Sequence, residues 1–240
     1  MSADGLMNRP ASANDRVNAV SDAPVMTGFP PDFASLVTLA NWQDPPFNRW
    51  AFQHLREVVP TQRIARGFGP LASLQRHDES LHPEQVPLQR LAGHSSTLAD
   101  VLAETWTDAV VIVHDRRIMF ERYYNGMAAD TPHLLMSVTK SFVGCVTGIL
   151  AEQGLLDPEA QVSNYVPEIE GSGYGGATVR NLLDMRSGVG FREEYTNPSA
   201  EVRVMERYMG WRPQKEGDEL HGTYEYLTTL APDKPHGGSF

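Results

Sequence analysis

The sequence predicts an α+β fold, and two neighbouring stretches carry that reading. DAVVIVHD and RIMFERYY, joined by a tight polar turn around Asp115–Arg117, have the composition and spacing of a β-hairpin. Directly after them comes HLLMSVTKSFVGC, which begins at His133 and opens an apolar run reaching Gln153. That run has helical length, and Gly154 follows it as a C′ residue that can take the left-handed conformation ending a helix.

The remaining elements follow in chain order. Residues 1–30 are rich in Ala, Ser, Asn, Asp and Pro without periodicity and read as a flexible tail. An aromatic-rich piece from Phe33 to Val59 contains a short helix near Arg49–Val58, and residues 60–94 read as mostly irregular. SSTLADVLAE reads as a helix with Ser96 as N-cap. After the hairpin and the apolar helix from Ser137 to Gln153, ATVRNLLDM reads as a short helix capped by Thr178. GWRPQKEGDEL is a polar loop and TYEYLTTL a last helix. The final GGSF looks more like the start of a strand than the end of a domain, and no internal repeat is visible.

Composition narrows the function classes. With 41% hydrophobic and 21% charged residues, the chain can bury a substantial core. A formal net charge of −10 disfavours nucleic acid and anionic membranes, which select for basic patches. One cysteine rules out an internal disulfide and a cysteine-rich zinc site. The N-terminus lacks a basic stretch followed by an apolar one, and no segment reaches the ~18 apolar residues of a membrane span. The expectation is a cytoplasmic protein without metal or cofactor, with a homodimer left open.

The chain has three lysines, and one of them, Lys140, interrupts the apolar run three residues after Ser137. Residues three apart on a helix share a face, so the two side chains are expected to meet at the helix start. A lysine amine beside a serine can take the hydroxyl proton, and burial would ease that role by disfavouring the charged ammonium. Free N–H groups at the helix start also favour developing negative charge. The ordinary alternative makes Ser137 an N-cap and Lys140 a first-turn side chain reaching for water. Phe142, Val143, Val146, Ile149 and Leu150 lie on several faces, so the helix is expected to be buried all round. Gly144 and Gly148 would then permit close packing, and Cys145 would be core.

SVTKSFVGCVTGILAEQGLLDPEAQVSNYVPEI followed by ATVRNLLDMRSGVGF resembles the serine β-lactamase superfamily in its class C and penicillin-binding branch. NWQDPPFNRWAF, HLLMSVTKS, EEYTNPSAEVRVMERYMGWR and TYEYLTTL bring the resemblance nearest to the aminohexanoate-dimer (nylon-oligomer) hydrolases and their esterase relatives. The resemblance implies an α/β sandwich of antiparallel sheet and helices over residues 31–240, with a helical and loop subdomain at 155–240. It makes Ser137 the acylated nucleophile and Lys140 its proton acceptor. It also implies that Tyr195 sits on a substrate loop, that Glu206 recognises a substrate amino group and that Trp211 lines the entrance.

The same resemblance implies a Tyr-x-Asn tyrosine and a Lys- or His-containing strand motif further along. Tyr195-Thr196-Asn197 falls within the substrate-loop block, and Lys234-Pro-His-Gly-Gly precedes the expected strand, so neither is taken as the missing motif. On this reading the family domain is incomplete at the C-terminus and this chain by itself is expected to be inactive. GHSST at Gly93–Thr97 nearly spells a nucleophile elbow, but Ser95 and Ser96 read better as helix-capping residues. GSGYGG at Gly171–Gly176 fits a dinucleotide pattern yet follows an acidic stretch rather than an apolar strand. Three functions stand open. The leading one is a serine hydrolase of linear amides or short-chain esters, with a small-molecule substrate. The others are a hydrolase of β-lactams or D-Ala peptides, and a non-catalytic remnant that only binds.

Overall fold

Aromatic side chains organise the start of the first of two units, Met1–Leu134; the second is Leu135–Phe240. The computed structural model describes residues 25–77, 81–90, 93, 95–219 and 222–238. Most of the expected flexible tail, residues 1–24, lies outside the described residues, while Met26 N–H donates to Ser35 O at 2.8 Å.

The single helix expected near Arg49–Val58 is two, α1 (Asn48–Ala51) and α2 (Leu55–Val58). His54 separates them with φ −126° and ψ 29°. Its ring stacks on Trp50 at 4.1 Å while Nδ1 lies 2.8 Å from the Trp50 carbonyl, which favours the non-helical conformation over continuation. The stretch expected to be irregular, residues 60–94, contains two short strands, β1 (Gln75–Arg76) and β2 (Pro87–Gln89). A third, β3 (Ser95–Thr97), occupies the start of the segment expected to be helix. β2 and β3 pair antiparallel as a separate ribbon. Ser96 therefore lies in a strand, and the cap of α3 (Leu98–Glu104) is Thr97. The reason is a capping box: Thr97 Oγ1 accepts from Asp100 N–H at 3.1 Å, while Thr97 N–H donates to Asp100 Oδ2 at 3.1 Å.

The predicted hairpin is present as β4 (Ala109–His114) and β5 (Arg117–Tyr123). Its central residues Asp115 and Arg116 both take positive φ, +48° and +61°, as a two-residue type I′ turn requires. The pairs Ala109–Tyr123 through Ile112–Phe120 are in register, and a bulge between Ile112 and Val113 shifts the remainder. β1 joins the open side of β5 in parallel. Trp42, Ala51, Val59, Leu102 and Phe120 form buried parts of this unit.

A carboxylate ties these pieces together. Asp108 Oδ1 accepts from Arg49 Nη1 at 2.9 Å and from Asn125 Nδ2 at 3.2 Å, and Oδ2 faces His133 Nε2 at 2.9 Å. The other ring nitrogen of His133 faces the Leu134 carbonyl at 2.8 Å. Two acceptors on one imidazole favour its doubly protonated form. The hydrogen bond to Asp108 accordingly holds the His133 pKa above its ordinary value, against burial and the nearby Arg49 charge.

In the second unit, α4 (Thr139–Glu152) follows a 3-10 turn at Met136–Val138. It ends as expected at Gly154, φ +68°, in a Schellman motif: Leu155 N–H donates to Leu150 O at 2.9 Å and Gly154 N–H to Ala151 O at 3.0 Å. The expectation that α4 is buried all round is not met. Phe142 is 62% exposed, Val143, Val146 and Ile149 are exposed with it, and so is Cys145. Among the described residues, no side chain lies within 4 Å of a Cβ position at Gly144 or Gly148. The physical reason is that the buried side chains of this unit come from elsewhere: Val162, Ile169, Ala177, Ala200, Val202, Tyr226 and Leu230. They belong to or flank two 3-10 turns, α5 (Val179–Leu183), α6 (Glu201–Tyr208) and α7 (Thr223–Thr229). The periodicity of α4 therefore reads as fully apolar without describing what covers it.

Thr178 caps α5 as expected, in a capping box with Asn181. The GSGYGG run serves packing. A Cβ on Gly173 would stand 2.6 Å from the Ala231 backbone, and one on Gly175 2.2 Å from the Glu170 carbonyl. Backbone contact that close admits glycine only. The KPHGG turn closes onto the same region, with His236 Nε2 2.7 Å from the Gly175 carbonyl and Lys234 N–H 2.9 Å from the Gly188 carbonyl.

The Asp108–His133 contact has a signed pH consequence. A raised folded pKa stabilises fully below the unfolded value of about 6.5 and loses that contribution as pH rises through the folded value. Denaturant unfolding of the wild type is therefore expected to show a stability loss across that window. His133→Phe should remove this component and lower stability at acidic pH by about 2 kcal/mol, the scale of a hydrogen bond to a charged group. Identical pH profiles for the two proteins would contradict the assignment.

Candidate active site

The turn from 3-10 to α-helix presents Ser137. Met136, immediately before it, takes φ +46°, in the left-handed region. For a side chain other than glycine this conformation costs roughly 1–2 kcal/mol. Strain of this kind collects at functional sites because surrounding structure must maintain it. From the turn, the i,i+3 spacing brings Lys140 Nζ to 3.0 Å from Ser137 Oγ. No side-chain hydrogen bond caps this helix at Val138. Ser137 thus faces the lysine instead of serving as the N-cap of the ordinary alternative. Both side chains are exposed, in contrast to the dry surroundings expected from the apolar run. Two parts of a nucleophile–base arrangement are in hydrogen-bond reach; desolvation is not supplied by the described residues.

A second cluster sits on the loop before α6 and on α6 itself. Arg192 and Glu201 close the base of the loop: Arg192 Nε donates to Glu201 Oε2 at 2.7 Å, Arg192 Nη2 to Oε1 at 2.9 Å, and Arg192 N–H to Oε2 at 3.0 Å. This fork pairing pushes the Glu201 carboxyl down to about 2. Inside the loop, Asn197 makes a local turn, donating from Nδ2 to Glu194 Oε2 at 2.9 Å and accepting at Oδ1 from Ser199 N–H at 3.0 Å. Its side chain is thus used in shaping the loop.

Tyr195 stands on this loop 53% exposed. Partial burial pushes its hydroxyl pKa up, as do the Glu193 and Glu206 charges, against Arg203. Glu206 differs from the sequence expectation of an acid open to a substrate's amino group. It is 4% exposed, and its Oε2 accepts from Arg203 Nη1 at 2.7 Å and from Arg212 Nε at 2.5 Å. A carboxylate this buried needs such partners to offset its lost hydration. Trp211 lies in the turn after α6, where its backbone N–H donates to the Glu206 carbonyl at 2.8 Å. Tyr195 and Glu206 are joined through Arg203, and Trp211 joins them through its backbone bond to Glu206, whereas the side chains of Ser137 and Lys140 bond to each other.

Sequence reasoning missed Arg203 and Arg212, which organise this neighbourhood, and it did not identify α6 as a helix. A signal was available in EVRVMERYMGWR, where Arg203 and Glu206 stand at i,i+3. An open groove of about 600 Å³ runs past Met185–Arg192, Glu201, Asp233 and Lys234. None of the five sequence-predicted site residues lines it.

The chain matches the Beta-lactamase family model over residues 98–237. It is 39% identical over 218 residues to the 6-aminohexanoate-dimer hydrolase of Paenarthrobacter ureafaciens, covering 90% of this chain and 53% of that protein. A solved structure from Bacillus anthracis carrying the same hydrolase name superposes with a TM-score of 0.74 at 26% identity, covering 88% of this chain and 54% of that one. The chain thus spans about half the length of the relatives it matches. No helix among the described residues is long and apolar enough to cross a membrane.

The Arg192–Glu201 pairing predicts a titration. A depressed carboxyl pKa stabilises above the ordinary glutamate range, and that contribution is lost as pH falls through about 2. Carbon-13 NMR should show Glu201 titrating near that value in the wild type and in the ordinary range in Arg192→Gln. An unchanged titration in the variant would contradict the pairing.

Proposed function

The chain is a member of the beta-lactamase family, and on that premise we propose that it carries the nucleophilic half of a serine hydrolase working through an acyl-enzyme on Ser137. The observation that carries the reading is the 3.0 Å separation of Lys140 Nζ and Ser137 Oγ at the start of α4. With its amine neutral, Lys140 accepts the hydroxyl proton as Oγ bonds to the substrate carbonyl carbon. Collapse of the tetrahedral adduct breaks the bond to the leaving amine or alcohol, which departs with a proton and leaves an acyl ester on Ser137. Water then adds to that ester, and its cleavage frees the acid and restores the serine hydroxyl.

The proposed substrate is a linear amide or short-chain ester. Its support is the 39%-identical alignment with a hydrolase named for the 6-aminohexanoate dimer, which extends over 90% of this chain. Tyr195 and Trp211 are proposed to contact substrate from the loop and turn around α6. Glu206 enters through the arginines it holds, because its carboxylate is buried between them.

The exposure of Ser137, Lys140 and the apolar side chains of α4 favours a second reading. On that reading this chain by itself binds without turning over, since an oxyanion and a reacting amine gain most in a water-excluded site.

Intact mass after treatment with a fluorophosphonate probe separates the two. The hydrolase reading expects one adduct that is absent from Ser137→Ala. Absence of any adduct on the folded wild type overturns it for this chain and supports the binding-only reading. With activity in hand, faster turnover of a p-nitrophenyl ester than of a chromogenic cephalosporin is expected; the reverse order would move the substrate class to β-lactams.

A further inference from the structure

The loop 192–201 is closed at its base by Arg192 and Glu201, and Tyr195 lies within it. A second arginine reaches this residue from the helix. Arg203 Nε donates to the Tyr195 carbonyl at 2.8 Å, and its Nη2 donates to the same oxygen. The guanidinium carbon also stands 5.3 Å from the centre of the Tyr195 ring. The remaining edge of the guanidinium is taken by Glu206, with Nη1 2.7 Å from Oε2. Arg212 holds the same carboxylate oxygen at 2.5 Å.

The geometry forms a relay. Glu206 Oε2 is held by Arg212, and the same oxygen meets Nη1 of Arg203 and restrains that guanidinium. A guanidinium held in plane offers its other donors in a set direction, here toward the Tyr195 carbonyl, while its face meets the ring. That side chain is 53% exposed. The relay also leaves Glu206 poorly placed to receive a substrate's ammonium. Its carboxylate is 4% exposed, and the groups against it are cations.

We propose that Arg203 is the positioning residue of the Tyr195 loop, with Glu206 acting through Arg203 to set the tyrosine and not as the receptor of a cationic substrate group. The consequence for substrates rests on the preceding reading that Tyr195 contacts substrate; the tether itself does not. Because Glu206 offers no open anion, the site discriminates weakly between an acyl chain ending in an amine and an uncharged chain of equal length.

Arg203→Lys tests the tether while keeping the charge and a good helix former in α6. One ammonium cannot serve the Tyr195 carbonyl and Glu206 with the same fork. Hydrogen–deuterium exchange of the 193–200 segment is expected to quicken about tenfold, the scale of one lost hydrogen bond to a charged group, with the 155–180 segment unchanged. Unchanged exchange at 193–200 overturns the proposal whether or not the chain is active. If Arg203→Lys does not fold, Glu206→Gln reads the same relay from its acceptor end, with the same exchange signature and the same overturning result.

The substrate consequence is read separately, on p-nitrophenyl esters of 6-aminohexanoate and of hexanoate. In Glu206→Gln the KM of both is expected to rise together, by about threefold, as for a perturbed positioning contact. A rise confined to the amino-bearing ester makes Glu206 the ammonium receptor and overturns the proposal. If the wild type hydrolyses neither ester while exchange still responds to Arg203→Lys, the tether stands and the hydrolase reading of this chain fails.

Discussion

The chemistry proposed for this chain depends on one contact, the 3.0 Å approach of Lys140 Nζ to Ser137 Oγ. It is a local product of chain geometry. A 3-10 turn at Met136–Val138 runs directly into α4, and a three-residue offset places the two side chains on one face. The positive φ of Met136 marks where the chain bends to make that entry. Nothing distant is required to form the pair, so it survives where the rest of α4 lacks cover. What distant structure would add is exclusion of water, on which the strength of electrostatic catalysis depends.

The second unit shows how arginine does the work that a larger apolar core would otherwise do. Arg192 closes one loop on Glu201, Arg207 holds the following polar loop through Asp218 at 2.7 Å, and Arg203 and Arg212 share Glu206. Forked guanidinium contacts fix direction as well as distance, which suits short helices joined by long loops. Apolar support is concentrated under α6 and α7, where the Tyr226 ring lies against that of Tyr208 at 5.0 Å, tilted by 36°, and its hydroxyl donates to Glu201 O at 2.9 Å. Burial there raises the Tyr226 pKa to about 12, so the hydroxyl stays a donor across the working pH range.

Local rules were legible in the sequence wherever the determining residues are neighbours. The hairpin follows from two short runs and a tight polar turn, the end of α4 from Gly154, the start of α5 from Thr178, and the Ser137–Lys140 pair from their spacing. The misreadings have two physical origins. Ser96 and Thr97 are equally plausible caps by type, and only Asp100 reaching back decides between them. An apolar stretch such as Phe142–Leu150 specifies a helix without specifying what packs on it. Glu206 looks like any surface glutamate until Arg203 and Arg212 converge on it, one of them from the turn after the helix. Cover over a helix depends on residues distant along the chain, whereas the Thr97 cap and the Glu206 pairing lie within short windows and turn on which side chain reaches which group.

The most direct test of the central claim is the rate at which a fluorophosphonate labels Ser137 in Lys140→Met compared with the wild type. If Lys140 takes the hydroxyl proton, the labelling rate constant should fall by about a hundredfold or more, the lower range for loss of a positioned base. Equal rates in the two proteins would show that Ser137 reacts without Lys140 and would contradict the account.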